Sequence, residues 1–412
     1  MKRAAAVVPV LLAAALLAAL SCAPARRKPA AQEIVFWQSW PAGIVEPLVA
    51  EFERAHPGLE VRVEPLPRED GRERILAAIA ADSVPDLCQI GSDWMPGLLA
   101  GGRLSDWSAG VADLMPHVRG WELCSVGEAL YGLPWVLRTR ALFYDKTLFA
   151  RAHLDSTRPP GTWDELYHAA AAIQRLGRGV HGCGVQAGDR RALAQTVLPL
   201  LWGNGGRVLS DDLRKAVFDS AQNVEALEFF LSLRRVGLLA SQDTLDREFE
   251  RGRLGLLLSG AWLLERLPRE APGLHYGVAP VPAPGPDRGT HASWADGEVL
   301  VSFGASRHKQ HALELARFLA QPENVLALAA AAGSVLPAAA EADTSAYYLT
   351  RPLERALVRQ LGNSRFTPSH PAWIEMEEAI ADEVAQALHD TKSAAQAVHD
   401  AQARLAGLVG RR

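Results

Sequence analysis

The chain has 412 residues, of which 49% are hydrophobic and 22% charged, and its formal net charge is −4. This length exceeds what a single hydrophobic core usually serves, so we expect two domains. No block of Lys and Arg is present, which argues against nucleic acid as a partner. Apart from Cys22, the cysteines are Cys88, Cys124 and Cys183, an odd number without the close spacing of a zinc site or a disulfide framework. Buried thiols are the expectation, and one disulfide remains an alternative.

The N-terminus has the pattern of an export signal. Lys2 and Arg3 precede the apolar run 4–20, which ends at Ser21 and Cys22. A positive start, an apolar centre and a small residue before the cut predict a signal peptide over residues 1–22. A cysteine at this place favours lipid acylation of Cys22, with a retained N-terminal anchor or plain secretion as alternatives. Residues 23–32 are rich in Pro, Ala and basic residues and predict a flexible tether.

Strands and helices alternate along the first part of the mature chain. Residues 33–37 predict a strand, 44–56 a helix, 59–65 a strand, 72–82 a helix and 86–90 a buried strand. Such alternation is typical of parallel α/β units rather than a β-sandwich.

The later elements continue the pattern. We expect an extended segment over 131–144, a helix over 163–176 with Thr162 as its N-cap, and helices over 223–235, 313–319 and 375–388. The Pro-rich segment 280–286 predicts a surface loop, because proline cannot occupy a central strand. The apolar stretches around 254–264 and 325–332 are too short or too interrupted to cross a bilayer and predict core elements.

Several segments, in this order along the chain, resemble one known family. The segments are Ile34-Val-Phe-Trp-Gln-Ser-Trp40, Val84-Pro-Asp-Leu-Cys-Gln-Ile-Gly-Ser-Asp-Trp94, Tyr131-Gly-Leu-Pro-Trp135, Thr139-Arg-Ala-Leu-Phe-Tyr-Asp-Lys146, Pro159-Pro-Gly-Thr-Trp-Asp-Glu-Leu166, Trp202-Gly-Asn-Gly-Gly206, Gly252-Arg-Leu-Gly-Leu-Leu-Leu-Ser-Gly-Ala-Trp262 and Tyr276-Gly-Val-Ala-Pro-Val-Pro282. They resemble the extracellular solute-binding proteins of carbohydrate ABC importers, the maltose-binding-protein-like group. Each segment is weak alone, and the order strengthens the resemblance.

The resemblance implies a type II two-lobe α/β fold in which each lobe is a sheet flanked by helices. Carried onto this chain, residues 33–139 and 293–340 form the first lobe, and residues 140–292 and 341–412 the second. A hinge of crossing segments joins the lobes, and a ligand bound between them stabilises the closed form. The family further implies a monomer that delivers sugar to the transmembrane subunits of an importer, without a cofactor, metal or catalytic residue.

The chain contains aromatic residues suited to a sugar site, which needs flat platforms for the C–H faces and planar polar groups for the hydroxyls. Eleven tryptophans are present. Trp40 and Trp262 are the favoured platforms, and the resemblance places an aromatic residue after the Gly-Ala step that precedes Trp262. Trp202 and Trp294 are further candidates. Most tryptophans belong to cores, and we expect Trp37, Trp121 and Trp135 to serve only packing.

Polar candidates follow the same argument, and Asp93 leads because it ends a predicted parallel strand, where α/β sites form. Its alternative role is a helix N-cap. Asn204 would contact hydroxyls or adopt a positive φ angle in its Gly-rich turn. Arg138 would hold a carboxylate or phosphate of the ligand, or form a hinge salt bridge. The remaining candidates are Gln38, Ser39, Ser92, Asp296, Glu298 and Arg365.

Other functions remain as alternatives. The same fold serves polyols, sugar phosphates or a sensor role, and a glycosidase would share the aromatic platforms. No G-x-S-x-G, HExxH or CxxC motif supports an enzyme. Glu377 and Glu378 are expected on an exposed helix face, and His308 and His311 on the surface.

Overall fold

Two separate sheets organise the molecule. The structure, a computed structural model, describes residues 31–177 and 179–410, so the predicted signal peptide, Cys22 and nearly all of the tether lie outside the described residues. The first sheet has seven strands in the order β13-β6-β12-β3-β1-β2, with β14 added beside β12. Its strands are β1 Gln32–Gln38, β2 Leu59–Pro65, β3 Leu87–Gly91, β6 Leu133–Thr139, β12 Ser293–Val301, β13 Leu336–Pro337 and β14 Ser364–Phe366.

The second sheet has five strands in the order β11-β7-β10-β8-β9. They are β7 Ala141–Asp145, β8 His181–Gln186, β9 Gly237–Ala240, β10 Leu254–Ser259 and β11 Tyr276–Ala279. A short hairpin of β4 Ser125–Val126 and β5 Ala129–Leu130 stands apart from both sheets. In each lobe a parallel trio, β3-β1-β2 or β10-β8-β9, is extended by antiparallel strands.

Helices flank both sheets. They are α1 Ala42–Ala55, α2 Gly71–Ala80, α3 Met95–Ala100, α4 Ser108–Val111, α5 Lys146–Arg151, α6 Trp163–Gln174, α7 Arg190–Gly203, α8 Ala221–Ser232, α9 Gln242–Glu250, α10 Ala261–Glu270, α11 Lys309–Leu319, α12 Pro322–Ala332, α13 Ala346–Leu349, α14 Pro352–Leu361, α15 Trp373–Leu388 and α16 Ala394–Val409. Helix α1 shows why the sequence folds this way: its buried Val45, Leu48, Val49 and Phe52 recur at the three- and four-residue spacing of one helix face. The predicted capping role of Thr162 is confirmed, since its hydroxyl accepts from the backbone N–H of Glu165 and that carboxylate accepts from the Thr162 N–H.

The lobes are joined where β6 passes through Arg140 directly into β7. The Thr139 hydroxyl lies within 3.1 Å of the Ser293 hydroxyl and 2.7 Å of the Ser364 hydroxyl, and it donates to the Trp294 carbonyl at 2.8 Å. The Ser293 hydroxyl donates to the Arg140 carbonyl at 2.7 Å. Three segments that cross between the lobes therefore meet in one buried group of hydroxyls.

The apolar core is not divided strictly between the sheets. One cluster joins the first sheet to α9, α10 and α14, and the other fills the opposite side of the second sheet with α6, α7, α8, α15 and α16. Helix α14 contacts both β6 and β11. The strand β14 pairs with β12 of the first sheet. The first sheet therefore still receives a strand after residue 341, where the sequence predicted that the chain returns to the second lobe.

Two local predictions are corrected by the structure. The segment 280–286 is a loop, as proline requires, but Val281, Pro282, Ala283 and Pro284 are buried rather than on the surface. Glu377 is also buried, whereas Glu378 is exposed. The three described cysteines are buried thiols, as expected. No helix within residues 31–177 and 179–410 is both long and apolar enough to cross a bilayer.

Candidate functional site in the cleft between the lobes

The ends of parallel strands bring polar and aromatic side chains to the cleft. Ser39 and Trp40 follow β1, Arg68 follows β2, and Ser92 and Asp93 follow β3. Because carboxyl ends of parallel strands share one edge of a sheet, these residues converge. The second lobe faces them with Arg191 in the first turn of α7 and Trp262 in the first turn of α10.

The first of two cavities in the cleft, which we name the tryptophan cavity, has a volume of about 320 Å³. Trp40 from the first lobe and Trp262 from the second both line it, and both are partly exposed. Its polar and remaining walls are Ser39, Arg68, Arg138, Glu298, Ser334 and Val335. Its volume is at the lower end of the range for small-molecule sites.

The Trp40 ring is held by Glu298, which is only 1% exposed. The indole Nε1 donates to Glu298 Oε2 at 2.8 Å, and Gln89 donates to the same oxygen at 2.7 Å. Arg68 and Arg138 donate to the other oxygen, Oε1. Gln38 fixes the Trp40 backbone, since its amide accepts from the Trp40 N–H at 2.5 Å and donates to the Trp40 carbonyl at 2.9 Å. Four donors therefore compensate the buried carboxylate of Glu298, and this network fixes the orientation of the Trp40 ring.

The Trp262 ring is held in the same way by a carboxylate of its own lobe. Its Nε1 donates to Asp246 Oδ2 at 2.9 Å, and Asp246 also accepts from Ser259 at 3.0 Å. The Arg140 guanidinium lies 5.2 Å from the ring centroid, within the range of a cation–π contact. Burial lowers the pKa of Arg140 to about 10.

Arg138 forms a salt bridge inside the hinge. Its Nε donates to Asp296 Oδ1 at 2.9 Å, and its Nη1 lies 3.4 Å from Glu298 Oε1. Burial alone would lower the pKa of Arg138, but Asp296 and Glu298 outweigh it and raise that pKa above its ordinary value. Of the two roles considered for Arg138, the structure contains the salt bridge, and its charge is already compensated.

The second cavity, which we name the Glu377 cavity, has a volume of about 180 Å³. Ser92, Asp93 and Asp296 line it from the first lobe, and Arg191, Trp373 and Glu377 from the second. Arg191 Nη1 donates to Asp93 Oδ2 at 3.1 Å across the cleft. No side-chain hydrogen bond caps α3, so Asp93 does not act as the N-cap considered for it. Burial raises the pKa of Glu377 to about 7, and Arg191 opposes this shift.

The remaining candidate residues line neither cavity. Trp202 and Trp294 are each 5% exposed and belong to the core of the second lobe. Asn204 is the C-cap of α7 with φ −85°, and its amide donates to the Gln222 carbonyl and to Glu225. Arg365 is exposed on β14. Trp37, Trp121 and Trp135 are buried, as expected of packing residues.

Sequence reasoning missed three residues of the cleft. Arg68 follows a predicted parallel strand, so the rule that selected Asp93 would also have selected it. Glu377 is four residues after Trp373 on α15, and a helix places such pairs on one face. Arg191 gave no such signal, because its contact with Asp93 joins positions far apart in the sequence.

Comparison with known proteins agrees with this geometry. Residues 37–326 match the family described as bacterial extracellular solute-binding protein. The structure is similar to the cyclic α-maltosyl-1,6-maltose binding protein of Arthrobacter globiformis, with a TM-score of 0.84, 25% identity, and coverage of 93% of this chain and 100% of that one. It is also similar to the sugar-binding protein MalE of Xanthomonas citri, with a TM-score of 0.82, 27% identity, and coverage of 92% and 98%.

A third relative is the sn-glycerol-3-phosphate-binding periplasmic protein of Pectobacterium atrosepticum, which is 24% identical over 323 residues, 72% of this chain and 71% of that protein. The family match spans well over half of the chain and agrees with two sheets that enclose a cleft. The chain therefore belongs to the bacterial extracellular solute-binding protein family.

Proposed function

We propose that this protein captures a sugar or oligosaccharide outside the cytoplasm and delivers it to the membrane subunits of an ABC importer. One observation carries the proposal: Trp40 and Trp262, from opposite lobes, line the same cavity. Indole faces suit the C–H faces of a pyranose. Because each lobe supplies one indole, a ligand contacts both only in the closed form, and its binding therefore stabilises that form. One of the two similar solved structures is named for the cyclic α-maltosyl-1,6-maltose that it binds and the other is named a sugar-binding protein, which agrees with this proposal.

The rings are already oriented for this task. Each indole N–H is engaged by a carboxylate, Glu298 for Trp40 and Asp246 for Trp262. A platform that is fixed before the ligand arrives loses little conformational entropy on binding, and this raises affinity.

The charge balance of the tryptophan cavity favours an uncharged sugar over a sugar phosphate. Arg68 and Arg138 both pair with Glu298, and Arg138 also pairs with Asp296. A phosphate would have to draw the Arg138 guanidinium away from Asp296 and Glu298, which is costly because Asp296 would lose its partner. Arg68 is 53% exposed, so water screens its charge. Since one relative is named for sn-glycerol-3-phosphate, this ligand is the comparison compound in the test.

We further propose that Cys22 carries a lipid that anchors the protein at the outer face of the membrane. The apolar run before Cys22 and the Pro- and Ala-rich segment after it support this role. A Cys22→Ser variant should pass from the membrane fraction to the soluble exported fraction. Equal membrane retention of both forms would contradict the lipid anchor.

Titration calorimetry of the full-length protein with neutral mono- and oligosaccharides tests the sugar site. Trp262→Ala should weaken binding by ~1–3 kcal/mol through lost stacking and burial. Trp94→Ala is the matched control, because Trp94 is also partly exposed but packs over Gly71, outside the tryptophan cavity. An unchanged dissociation constant for Trp262→Ala, or binding of sn-glycerol-3-phosphate in preference to every neutral sugar, would overturn the proposal.

A further inference from the structure

Arg140 is a buried cation that lies outside the salt bridges of the cleft. It is 4% exposed, and within the described residues its guanidinium bonds to two neutral amides rather than to a carboxylate. Its Nη1 donates to Gln242 Oε1 at 3.0 Å, and its Nη2 donates to Gln195 Oε1 at 3.1 Å. Burial lowers its pKa to about 10, although three nearby carboxylates oppose the shift. Buried charges are usually ion-paired, so this placement calls for an explanation.

The topology brings Arg140 to the side of the second sheet that faces the cleft. Arg140 precedes β7, which runs antiparallel to β10, so it lies at the edge where the parallel strands β8, β9 and β10 end. Gln195 belongs to α7, which follows β8, and Gln242 is the first residue of α9, which follows β9. The Arg140 side chain therefore extends across this edge, and its guanidinium lies 5.2 Å from the centroid of the Trp262 ring.

Arg140 also reaches the N–H edge of the Trp262 ring through a hydrogen-bond relay. Gln242 accepts from Arg140 with its Oε1, and with its Nε2 it donates to Asp246 Oδ1 at 2.9 Å. The other oxygen of Asp246 accepts from the Trp262 Nε1 at 2.9 Å. Asp246 is 2% exposed, so this network is sheltered from water, where such contacts are strongest. One guanidinium thus contacts the ring face directly and the ring edge through one amide and one carboxylate.

The backbone of Arg140 belongs to the hinge. Arg140 is the residue between β6 of the first sheet and β7 of the second. Its carbonyl accepts from the Ser293 hydroxyl at 2.7 Å, and Ser293 begins β12, another crossing segment. The hinge therefore fixes the base of the Arg140 side chain, while the tip of the side chain contacts Trp262.

We infer that Arg140 is a positioning residue for sugar binding, which fixes the orientation of the Trp262 ring and raises sugar affinity without contacting the sugar. The inference rests on the proposed sugar-binding function and adds a residue to it. Arg140 lines neither cavity, so its effect on a ligand passes through Trp262. A cation–π contact is stronger when both groups are desolvated, as they are here on the side of the ring that faces Arg140. A ring that is held before the ligand arrives loses less conformational entropy on binding.

A double-mutant cycle tests this role by titration calorimetry of the full-length protein with glucose, maltose and maltotetraose. Arg140→Met removes the charge and the donors, and it should weaken the binding of these sugars by about three- to tenfold. In the Trp262→Ala background the same substitution should have no further effect, because the ring through which Arg140 acts is gone.

Arg234→Met is the matched control in the same sheet. Arg234 precedes β9, at the edge opposite the platform, and it donates to the Leu388 carbonyl at 2.6 Å and to Asp390 at 2.7 Å. Its replacement removes a second arginine with comparable hydrogen bonds, and it should leave the affinity for sugars unchanged.

A measurement without ligand reports on the ring itself. In protein labelled with fluorotryptophan, the fluorine NMR signal of Trp262 is the one that disappears in Trp262→Phe. Arg140→Met should shift or broaden this signal, whereas Arg234→Met should leave it in place. Gln242→Ala breaks the relay to Asp246 and spares the hinge, so it should also move the signal and weaken sugar binding. Urea unfolding checks that each variant is folded, and Gln242→Ala decides the test if Arg140→Met is not.

The outcomes separate this inference from the sugar function. The inference is refuted if the folded variants leave sugar affinity and the Trp262 signal unchanged, or if Arg140→Met weakens binding equally with and without the Trp262 ring. In either case the sugar function stands as long as Trp262→Ala alone weakens binding. If none of the sugars binds the wild-type protein, the sugar function fails, and the role of Arg140 in affinity fails with it.

Discussion

The buried carboxyl of Glu377 makes a testable prediction about stability and pH. Burial raises its pKa in the folded protein from 4.5 to about 7, whereas in the unfolded chain the carboxyl has its ordinary value. Between these two values the folded state binds a proton that the unfolded state has released, so the contribution of this group to stability falls as the pH rises from 4.5 to 7. Above pH 7 the carboxyl is charged in both states, and the full free-energy cost of burying its charge is present. One pKa unit corresponds to 1.36 kcal/mol, so this cost is about 3 kcal/mol.

Glu377→Gln removes this titration and therefore isolates it. Relative to wild type, the variant should gain stability steadily from pH 5 to pH 8, by up to about 3 kcal/mol. The other charged or titratable side chains that line the cavity are Arg72, Asp93, Arg191, Asp296, His370 and Glu375, and Arg138 pairs with Asp296. They are present in both proteins, so the difference between variant and wild type reports chiefly on Glu377.

Urea unfolding at pH 5, 6, 7 and 8, followed by far-UV circular dichroism, measures this difference. Glu375→Gln is the control on the same helix, and because Glu375 is exposed its difference from wild type should be flat with pH. A flat profile for Glu377→Gln, or a gain that is larger at pH 5 than at pH 8, would show that the carboxyl is not desolvated as the structure indicates.

Three further predictions concern the hinge, a helix cap and the contact across the cleft. Arg138→Met should destabilise the protein by ~3–5 kcal/mol in guanidinium unfolding, because it leaves Asp296 without its ion-pair partner and removes one of the four donors to Glu298. Adding Asp296→Asn should recover part of the loss, and a cost below about 1 kcal/mol would contradict this. Thr162→Ala should cost about 1 kcal/mol and Thr162→Ser almost nothing, measured by urea unfolding, because only the hydroxyl caps α6. Arg191→Ala should change the free energy of unfolding by less than about 1 kcal/mol, since the ion pair of Arg191 with Asp93 is partly exposed. The variant should nevertheless increase the radius of gyration of the ligand-free protein in solution scattering, because this ion pair joins the two lobes. An unchanged radius would show that the pair does not hold the lobes together.

The sequence predicted elements of both lobes where local periodicity determines them. The strand over 59–65 has the predicted bounds, and the helices over 44–56 and 163–176 were placed to within two residues at each end. Apolar spacing, a capping threonine and proline all act over a few residues, so each is visible without tertiary information.

Burial that depends on distant segments was not predictable in the same way. The Pro-rich loop contains no strand, as predicted, but residues 281–284 are covered by other parts of the fold. Glu377 looks like a surface residue in a run of acidic residues, but α15 packs against other helices, among them α7, and Glu377 is buried. Trp202 and Trp294 sit beside glycine and polar residues in sequence, yet both complete the core of the second lobe. In each case a contact between remote segments decides the environment.

The tryptophan platforms also constrain where sugar specificity can arise. The indole N–H groups of Trp40 and Trp262 both donate hydrogen bonds to buried carboxylates, so neither ring has a donor left for a ligand hydroxyl. The rings then contribute affinity for any sugar with a suitable apolar face, whereas discrimination among sugars must come from polar groups with unused capacity. In the tryptophan cavity, the guanidinium of Arg68 has five N–H donors, and within the described residues its one side-chain hydrogen bond goes to Glu298. Most of its donors are therefore available to a ligand. Substitution of Arg68 should therefore alter the order of preference among neutral sugars, while substitution of either tryptophan should weaken all of them together.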